Sequence, residues 1–226
     1  MSRRFDDTAA SEQGPADHHD VVERSYDAIA GEYLRTFGDE LTAKPLDRAL
    51  LAMIAQQVGP AAPVGDVGCG PGHVAAFMAG QGTKTVGIDL SGQMVEVGRR
   101  NFPSVEFRQG DFLSLPAGDA EFAAVVALYS IIHLTTEELP AALREFRRVL
   151  RPSGLLLLAF HVGDEVHHRS EWFGREVELD FRFFEPTEVA ELLEQSGFIV
   201  DVRLVRRHYP HEVETRRAYL LARATD

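Results

Sequence analysis

From Pro63 onward, short apolar segments alternate with segments of helical periodicity, and few folds accommodate that alternation. Five apolar runs, rich in Val, Ile, Leu or Phe, fall at about 63–68, 84–89, 104–108, 121–127 and 154–160. Helical segments separate them near 72–81, 91–101 and 137–150. Buried strands joined through helices are typical of a mainly parallel sheet that carries helices on both faces. The pattern therefore predicts a doubly wound α/β fold.

The chain before this alternation has a helical pattern. Residues 1–17 have no periodicity and are rich in Asp, Ser, Gly and Pro, so we expect a mobile tail, with order beginning near His18. Apolar residues over 26–37 recur at the spacing of one helix face, and a second helix is predicted over about 45–59. Two helices therefore precede the first strand of the sheet.

The last third of the chain has a different pattern. Charged and apolar residues alternate strictly over 176–183, which predicts a strand with one exposed face. A helix is predicted from Pro186 to Gly197. Two final strands, at about 198–208 and 217–224, have no helix between them, so they must pair antiparallel as a hairpin at the sheet edge.

Charge and cysteine content restrict the partners and the compartment. The 226 residues include 35 Asp and Glu against 23 Lys and Arg, and the formal net charge of −12 repels nucleic acid and anionic membranes. The single cysteine, Cys69, excludes an intramolecular disulfide and favours a reducing, cytoplasmic compartment. No apolar run reaches the ~18 residues of a membrane span, and the segment after Met1 does not resemble a signal peptide. A small molecule is the expected partner, and the oligomeric state stays open.

A glycine-rich turn follows the first predicted strand. Three glycines at alternate positions, Gly68, Gly70 and Gly72, allow the backbone to pass close to a ligand and to enter the next helix. Asp66 lies at the end of the otherwise apolar strand, where a carboxyl group is costly unless it has partners. The turn therefore predicts a ligand site at this end of the strand.

Two further acidic residues follow the next two strands. Asp89 ends the second strand, a position at which dinucleotide-binding folds hold two ribose hydroxyls. Asp111 follows the third strand. Because open α/β sheets bind ligands at the carboxyl ends of their strands, we expect Asp66, Asp89 and Asp111 to line one site.

Taken in order, these segments resemble a class I S-adenosylmethionine-dependent methyltransferase of the small-molecule type over about 60–161. The resemblance is carried by the segment Asp66–Gly72, by Asp89, by the segment Gly110–Phe112 and by the turn at 149–154. Ser153 stands where the family commonly has Gly, which leaves Gly154 to make the turn. The resemblance implies a Rossmann-like seven-stranded sheet in the order 3-2-1-4-5-7-6 with an N-terminal helical lid. It also implies S-adenosyl-L-methionine as the methyl donor and S-adenosyl-L-homocysteine as the product.

On this reading the chain is a tail followed by one methyltransferase domain over 18–226. The domain divides into a helical lid at 18–59, a cofactor-binding core at 60–161, a substrate-lid insertion at 162–185, and a closing helix and hairpin at 186–226.

The resemblance also assigns positions around the donor. Its methionine end is expected at Asp66, Gly68, Cys69, Gly70 and Gly72, with the Cys69 backbone rather than the thiol in contact. The ribose is expected at Asp89 and Leu90, and the adenine at Met94, Gly110, Asp111 and Phe112. Leu128 is expected beside the sulfonium. Tyr26 and Tyr33 match the aromatic pair of a lid helix that closes over the donor, although helix packing accounts for them equally well.

Three residues are candidates for chemistry at the acceptor. A histidine titrates near neutral pH, so His133, directly after strand four, is the leading general base, and His161, at the end of strand five, is the second. Tyr129 is expected to contact the sulfonium side or to orient an acceptor. A structural alternative for His133 is a backbone hydrogen bond that fixes its loop.

The predicted reaction is SN2 transfer of a methyl group to oxygen or nitrogen of a small organic molecule, for which no metal is required. Carbon and sulfur acceptors stay open. One alternative is a protein that binds S-adenosylmethionine without methylating, as a scaffolded cyclase or a sensor. A further alternative is an NAD(P)-dependent oxidoreductase, because the segment 70–75 also fits G-x-G-x-x-A. Asp66 and Asp111 have no role in that fold, which argues against the oxidoreductase.

Overall fold

The computed structural model describes residues 15–226. Of the predicted tail over 1–17, residues 1–14 lie outside the described residues, and Pro15 already begins the first helix. The α-helices are α1 Pro15–Phe37, α2 Pro45–Val58, α3 His73–Gly80, α4 Gly92–Asn101, α5 Leu139–Val149 and α6 Pro186–Gln195. Two short 3-10 helices span Glu40–Ala43 and Ile131–His133.

Seven strands form the main sheet, and two more form a separate hairpin. The sheet strands are β1 Pro63–Val67, β2 Lys84–Asp89, β3 Glu106–Gln109, β4 Phe122–Leu128, β5 Leu150–His161, β8 Phe198–Arg206 and β9 Arg217–Ala224. The hairpin strands are β6 Val166–Trp172 and β7 Arg175–Arg182.

The strand order of the sheet is β3-β2-β1-β4-β5-β9-β8. The five strands β1–β5 pair in parallel, and β9 pairs antiparallel with both β5 and β8. When the sheet strands alone are numbered, this order is 3-2-1-4-5-7-6. The predicted doubly wound fold with its closing hairpin is therefore confirmed.

The central strands of the sheet are buried on both faces, as their apolar sequences predict, whereas β8 at the edge exposes Ile199, Val202 and Val205. Alternate residues of β4 and β5 belong to two different apolar clusters, one on each face. The first cluster includes the fully buried rings of Phe122, Phe146 and Phe160. Leu51 and Met78 belong to the second, which packs α2 and α3 onto the sheet.

The hairpin between β5 and α6 was predicted only in part. The strand predicted over 176–183 is present as β7, but its partner β6 was not predicted, because Val166–Trp172 lacks a period-2 apolar pattern. The hairpin is fastened to α1, where the Ser25 hydroxyl accepts the backbone N–H of Glu178 at 2.9 Å.

The N-terminal helix α1 is also hydrogen-bonded to the start of helix α4. Asp27 Oδ1 accepts the Ser91 hydroxyl at 2.5 Å and the Gln93 backbone N–H at 3.0 Å, both at the start of α4. Because α1 reaches the hairpin as well, it forms a cover across the carboxyl ends of the strands. Within the described residues, no helix is both long and apolar enough to cross a membrane.

Candidate active site

A cavity of about 660 Å³ lies between the carboxyl ends of the strands, α1 and the β6–β7 hairpin. This volume falls in the ~300–1,000 Å³ range of small-molecule sites. The predicted site residues that line it are Tyr26, Tyr33, Asp66, Gly68, Cys69, Gly70, Asp89, Leu90, Met94, Asp111, Phe112, Leu128, Tyr129, His133 and His161. The fold therefore brings together residues that are far apart in the sequence.

Gly72 and Gly110 are the two predicted site residues that lie outside this lining. A Cβ added to Gly72 would lie 2.4 Å from the ring of Phe107, and one added to Gly110 would lie 2.3 Å from Pro116. Gly72 also has a φ of +88°. In the structure, the absent side chains of these two glycines make room for neighbouring protein atoms.

The glycine-rich turn is held close to the second strand by backbone hydrogen bonds. The N–H groups of Gly68 and Cys69 both donate to the carbonyl oxygen of Ile88, at 2.8 and 3.1 Å. Gly70 has a φ of +54° and, in place of a side chain, open space toward the cavity, where the nearest atom belongs to Tyr33. The turn thus exposes backbone at the cavity wall, and its contact with a ligand stays a prediction.

Asp66 is the most unusual polar residue of the cavity. Only 2% of it is exposed, and its Oδ2 has no hydrogen-bond partner within the described residues. Burial raises the pKa of Asp66 to about 8, although a backbone hydrogen bond from Ala75 works in the opposite direction. A buried carboxyl oxygen that lacks a protein partner is available to a ligand N–H, and it binds most strongly to an ammonium group.

Asp89 has the backbone partners that Asp66 lacks. Its Oδ2 accepts the N–H of Gly70 at 2.7 Å and its Oδ1 accepts the N–H of Ser91 at 2.9 Å. Burial nevertheless raises the pKa of Asp89 to about 6. Each carboxylate oxygen has a further lone pair, so this fixed group is able to accept hydrogen bonds from two ligand hydroxyls.

Asp111 is bound by a residue that the sequence analysis did not single out. Nδ1 of His19, on α1, lies 2.5 Å from Asp111 Oδ2, and the backbone N–H of Leu113 donates to Oδ1 at 2.7 Å. Nε2 of the same imidazole lies 3.0 Å from Glu138 Oε1. The only sequence signal was position, since His19 lies where order was predicted to begin.

A second group of unpredicted residues lies near the glycine-rich turn. Glu40 accepts from Lys44 Nζ at 2.9 Å and from His73 Nε2 at 3.2 Å, and all three line the cavity. Although burial opposes ionisation, the hydrogen bonds and charges of His73 and Lys44 lower the pKa of Glu40 to about 2. Lys44 Nζ also lies 4.7 Å from the centre of the Tyr129 ring. This group places a nearly buried cation at the cavity wall.

The predicted aromatic pair of the lid helix lies within an aromatic cluster. The rings of Tyr26 and Tyr33 are 6.1 Å apart, and both approach Trp172 of the hairpin, at 6.3 and 5.7 Å. The rings of Phe37 and Phe181 also lie edge-on to the same indole, and that of Phe173 stacks on it. The lid helix and the hairpin thus form one continuous aromatic wall.

Both ring nitrogens of His133, the leading base candidate, are engaged. Nδ1 lies 3.0 Å from the carbonyl oxygen of Asp180, so it carries the proton, and Nε2 accepts the hydroxyl of Tyr26 at 2.6 Å. Burial lowers the pKa of His133 to about 4. This geometry matches the structural alternative, in which the histidine fixes its loop, more closely than that of a base ready to accept a proton.

Tyr129 and His161 lie together at the other end of the cavity. The Tyr129 hydroxyl is 2.7 Å from that of Tyr219 and 3.2 Å from Asp47 Oδ1. Nδ1 of His161 is 2.7 Å from the Thr215 hydroxyl. Burial, with nearby cationic side chains, lowers the pKa of His161 to about 3, so this histidine is neutral at physiological pH.

Comparison with known proteins agrees with this geometry. Residues 64–154 match the sequence model of a family described as a methyltransferase domain. An O-methyltransferase of Penicillium expansum is 36% identical over 156 residues, which are 63% of this chain and 54% of that protein. The chain thus spans about half the length of this curated relative.

Two solved structures share the fold. One is a 1,6-didemethyltoxoflavin-N1-methyltransferase of Burkholderia thailandensis with bound 1,6-didemethyltoxoflavin and S-adenosylhomocysteine. It has a TM-score of 0.70 and 21% identity, over 97% of this chain and 94% of that one. The other is a magnesium protoporphyrin IX methyltransferase of Synechocystis with bound S-adenosylmethionine, at a TM-score of 0.72 and 17% identity, over 96% and 100%.

The strand order, the glycine-rich turn and the acidic residues at successive strand ends define a Rossmann-like fold of the methyltransferase type. The matching segment covers that turn and all three acidic residues. Over residues 64–154 the chain is similar to the methyltransferase domain family, and its fold is that of the two solved methyltransferases.

Proposed function

We propose that this protein transfers a methyl group from S-adenosylmethionine to an oxygen or nitrogen atom of a small organic molecule. The observation that carries the proposal is the buried, unpartnered Oδ2 of Asp66 at the wall of the cavity. It lies in the same cavity as Asp89 and Asp111, so three carboxyl groups are available to the ammonium group, the ribose hydroxyls and the adenine amine of one nucleoside-containing amino acid.

The residues present fit this donor. Asp66 would accept a hydrogen bond from the α-ammonium group, Asp89 from the ribose hydroxyls, and Asp111 from the exocyclic amine of adenine. Met94, Leu90 and Phe112 supply apolar surface for the purine. Lys44 supplies a cation for the α-carboxylate.

The donor, when bound, supplies a methyl group on a sulfonium that is already electrophilic. The protein therefore has to hold the acceptor lone pair in line with the S–CH₃ bond, and such positioning contributes ~7–11 kcal/mol. The aromatic wall of Trp172 and Phe181 would hold a planar or apolar acceptor, and α1 covers the cavity from solvent. A covered cavity of this size suits a small molecule.

Proton removal is the step that this arrangement supports least. For His133 to act as a base, the Tyr26 hydroxyl must first leave Nε2, or the proton must pass through that hydroxyl. A neutral amine loses its proton only after it attacks, and an ionised oxygen has none to lose. The site therefore favours acceptors whose lone pair is already available at working pH.

The proposal is tested by isothermal titration of the purified protein with S-adenosylhomocysteine, beside NAD. We expect micromolar binding of S-adenosylhomocysteine, none of NAD, and a severe loss in Asp89→Ala. Asp119→Ala, which removes an 83% exposed carboxylate, is the matched control and should bind normally. Binding of NAD without S-adenosylhomocysteine would overturn the proposal. Transfer of labelled methyl groups to a panel of aromatic amines, phenols and carboxylic acids then separates an enzyme from a protein that only binds the donor.

A further inference from the structure

A histidine stands between two carboxylates where the proposed donor places its adenine. His19 lies 2.5 Å from Asp111 and 3.0 Å from Glu138, one carboxylate for each ring nitrogen. Glu138 is held in place on its other oxygen by the backbone N–H of Thr135, at 2.9 Å. Only part of the His19 side chain, 17%, is exposed. Hydrogen bonds therefore hold the His19 ring in place at both of its nitrogens.

These two contacts determine the protonation state of His19. A neutral imidazole has one N–H, so one carboxylate would face a lone pair. Because both lie at hydrogen-bond distance, both nitrogens carry protons and the ring is an imidazolium. The hydrogen bond to Asp111 raises the pKa of His19, and the charge of Glu138 adds to this against the effect of burial. The imidazole of His18, the preceding residue on α1, lies 5.9 Å from that of His19.

We propose that His19 is a positioning residue of the donor site, whose imidazolium holds the Asp111 carboxylate ionised and oriented toward the exocyclic amine of adenine. This inference rests on the proposed function. It assigns to the lid helix a part in recognition of the nucleobase, in addition to covering the cavity.

The state of Asp111 supports this role. Burial alone would raise its pKa, but the hydrogen bonds from His19 and Leu113 outweigh burial and the net shift is downward. An ionised oxygen forms a hydrogen bond to an amine about twice as strong as a neutral one. It has no proton to donate to a carbonyl group. A carboxylate held in this state therefore selects adenine over hypoxanthine, which carries a carbonyl at the same position.

The test compares two ligands that differ in the group at that position and in the proton on the adjacent ring nitrogen, N1. S-adenosylhomocysteine and S-inosylhomocysteine are titrated calorimetrically into the wild-type protein, His19→Gln and His208→Gln. We expect the wild type to prefer the adenosyl ligand by about tenfold or more, and His19→Gln to reduce that ratio by about three- to tenfold. His208 is exposed and is the matched control, with an unchanged ratio.

The pH dependence of the ratio of adenosyl to inosyl affinity gives a second readout, because loosening of the lid would lower both affinities together. Since the pKa of His19 is raised, its contribution is complete below its ordinary value and is lost as pH rises through the raised value. The preference of the wild type for the adenosyl ligand should show this loss, and that of His19→Gln should not. Asp66 and Asp89 titrate in both proteins, so they cancel in the difference between the two profiles.

The outcomes separate this inference from the proposed function. If the wild type binds neither ligand, the proposed function fails and this inference fails with it. If the adenosyl ligand binds but His19→Gln weakens both ligands equally, or if the two pH profiles run parallel, His19 only fastens the lid and the inference alone is overturned.

A second variant keeps the test decisive if His19→Gln does not fold. Glu138→Gln removes one negative charge beside His19 but keeps an oxygen for the Thr135 N–H. In this variant the pH-dependent loss of the preference for the adenosyl ligand should occur at a lower pH than in the wild type. The reason is that the imidazolium loses one of its two charged partners. An unshifted profile contradicts the inference.

Discussion

Replacement of Asp66 by asparagine should stabilise the ligand-free protein while it weakens donor binding. The folded state holds this carboxyl at a pKa of about 8, against 3.8 for its ordinary value. The carboxyl is therefore protonated in the folded protein at neutral pH and ionised in the unfolded chain. Asparagine has nearly the same shape, is neutral in both states and removes that difference.

The magnitude follows from the interval between the ordinary pKa and the working pH. At pH 7 this interval is about 3 pKa units, which at 1.36 kcal/mol each gives a stabilisation of about 4 kcal/mol as an upper value. Because the folded pKa is raised, the wild type loses stability as pH increases from about 4 to about 8 and no further above that. The advantage of Asp66→Asn should therefore be under about 1 kcal/mol near pH 4 and should grow with pH.

Urea unfolding at several pH values measures this difference directly. Asp89 has a raised pKa as well, but it is present in both proteins and cancels. Calorimetry on Asp66→Asn should show that the affinity for S-adenosylhomocysteine falls by about tenfold or more, because the ammonium group of the ligand loses its carboxylate partner. A variant that is no more stable than the wild type at pH 7, or whose advantage does not change with pH, would refute the reasoning.

Three further substitutions test the structural basis of the site. Gly72→Ala should lower the free energy of unfolding by about 1–3 kcal/mol, measured by thermal unfolding, because the added Cβ would meet the ring of Phe107. Gly82 has a similar positive φ but open space around it, so Gly82→Ala should cost less. Equal losses in the two variants would contradict this explanation. Ser91→Ala, which removes the hydroxyl that accepts the Met94 N–H at the start of α4, should cost about 1 kcal/mol in urea unfolding, and no change would show that the cap is dispensable. Tyr129→Phe should cost about 1–2 kcal/mol, because the Tyr219 hydroxyl and Asp47 each lose a partner, and an unchanged melting temperature would exclude that contribution.

The sheet and the acidic residues at its edge were predictable because they depend on local patterns and on one geometric rule. The central strands β4 and β5 have long apolar runs, and parallel strands end at the same edge of the sheet. Asp66 and Asp89 lie at the ends of β1 and β2, and Asp111 lies just after β3, so their meeting required no knowledge of side-chain contacts. The final hairpin was predictable for a similar reason, since two strands without a helix between them pair antiparallel.

The contacts of the lid were not predictable in this way. His19 meets Asp111 and Glu138 across 92 and 119 positions of the chain, and no periodicity relates them. The engagement of His133 by Tyr26 depends equally on how α1 lies across the sheet. Such contacts are set by how α1 docks across the ends of the strands, whereas sequence patterns report only whether a residue faces the interior.

A crystal structure of the protein in complex with S-adenosylhomocysteine would show directly whether Asp66, Asp89 and Asp111 hold the donor. We expect the amino group of the ligand within hydrogen-bond distance of Asp66 Oδ2, the ribose hydroxyls at Asp89 and the adenine amine at Asp111. A ligand bound elsewhere, or bound in the cavity with Asp66 Oδ2 still without a partner, would contradict the account.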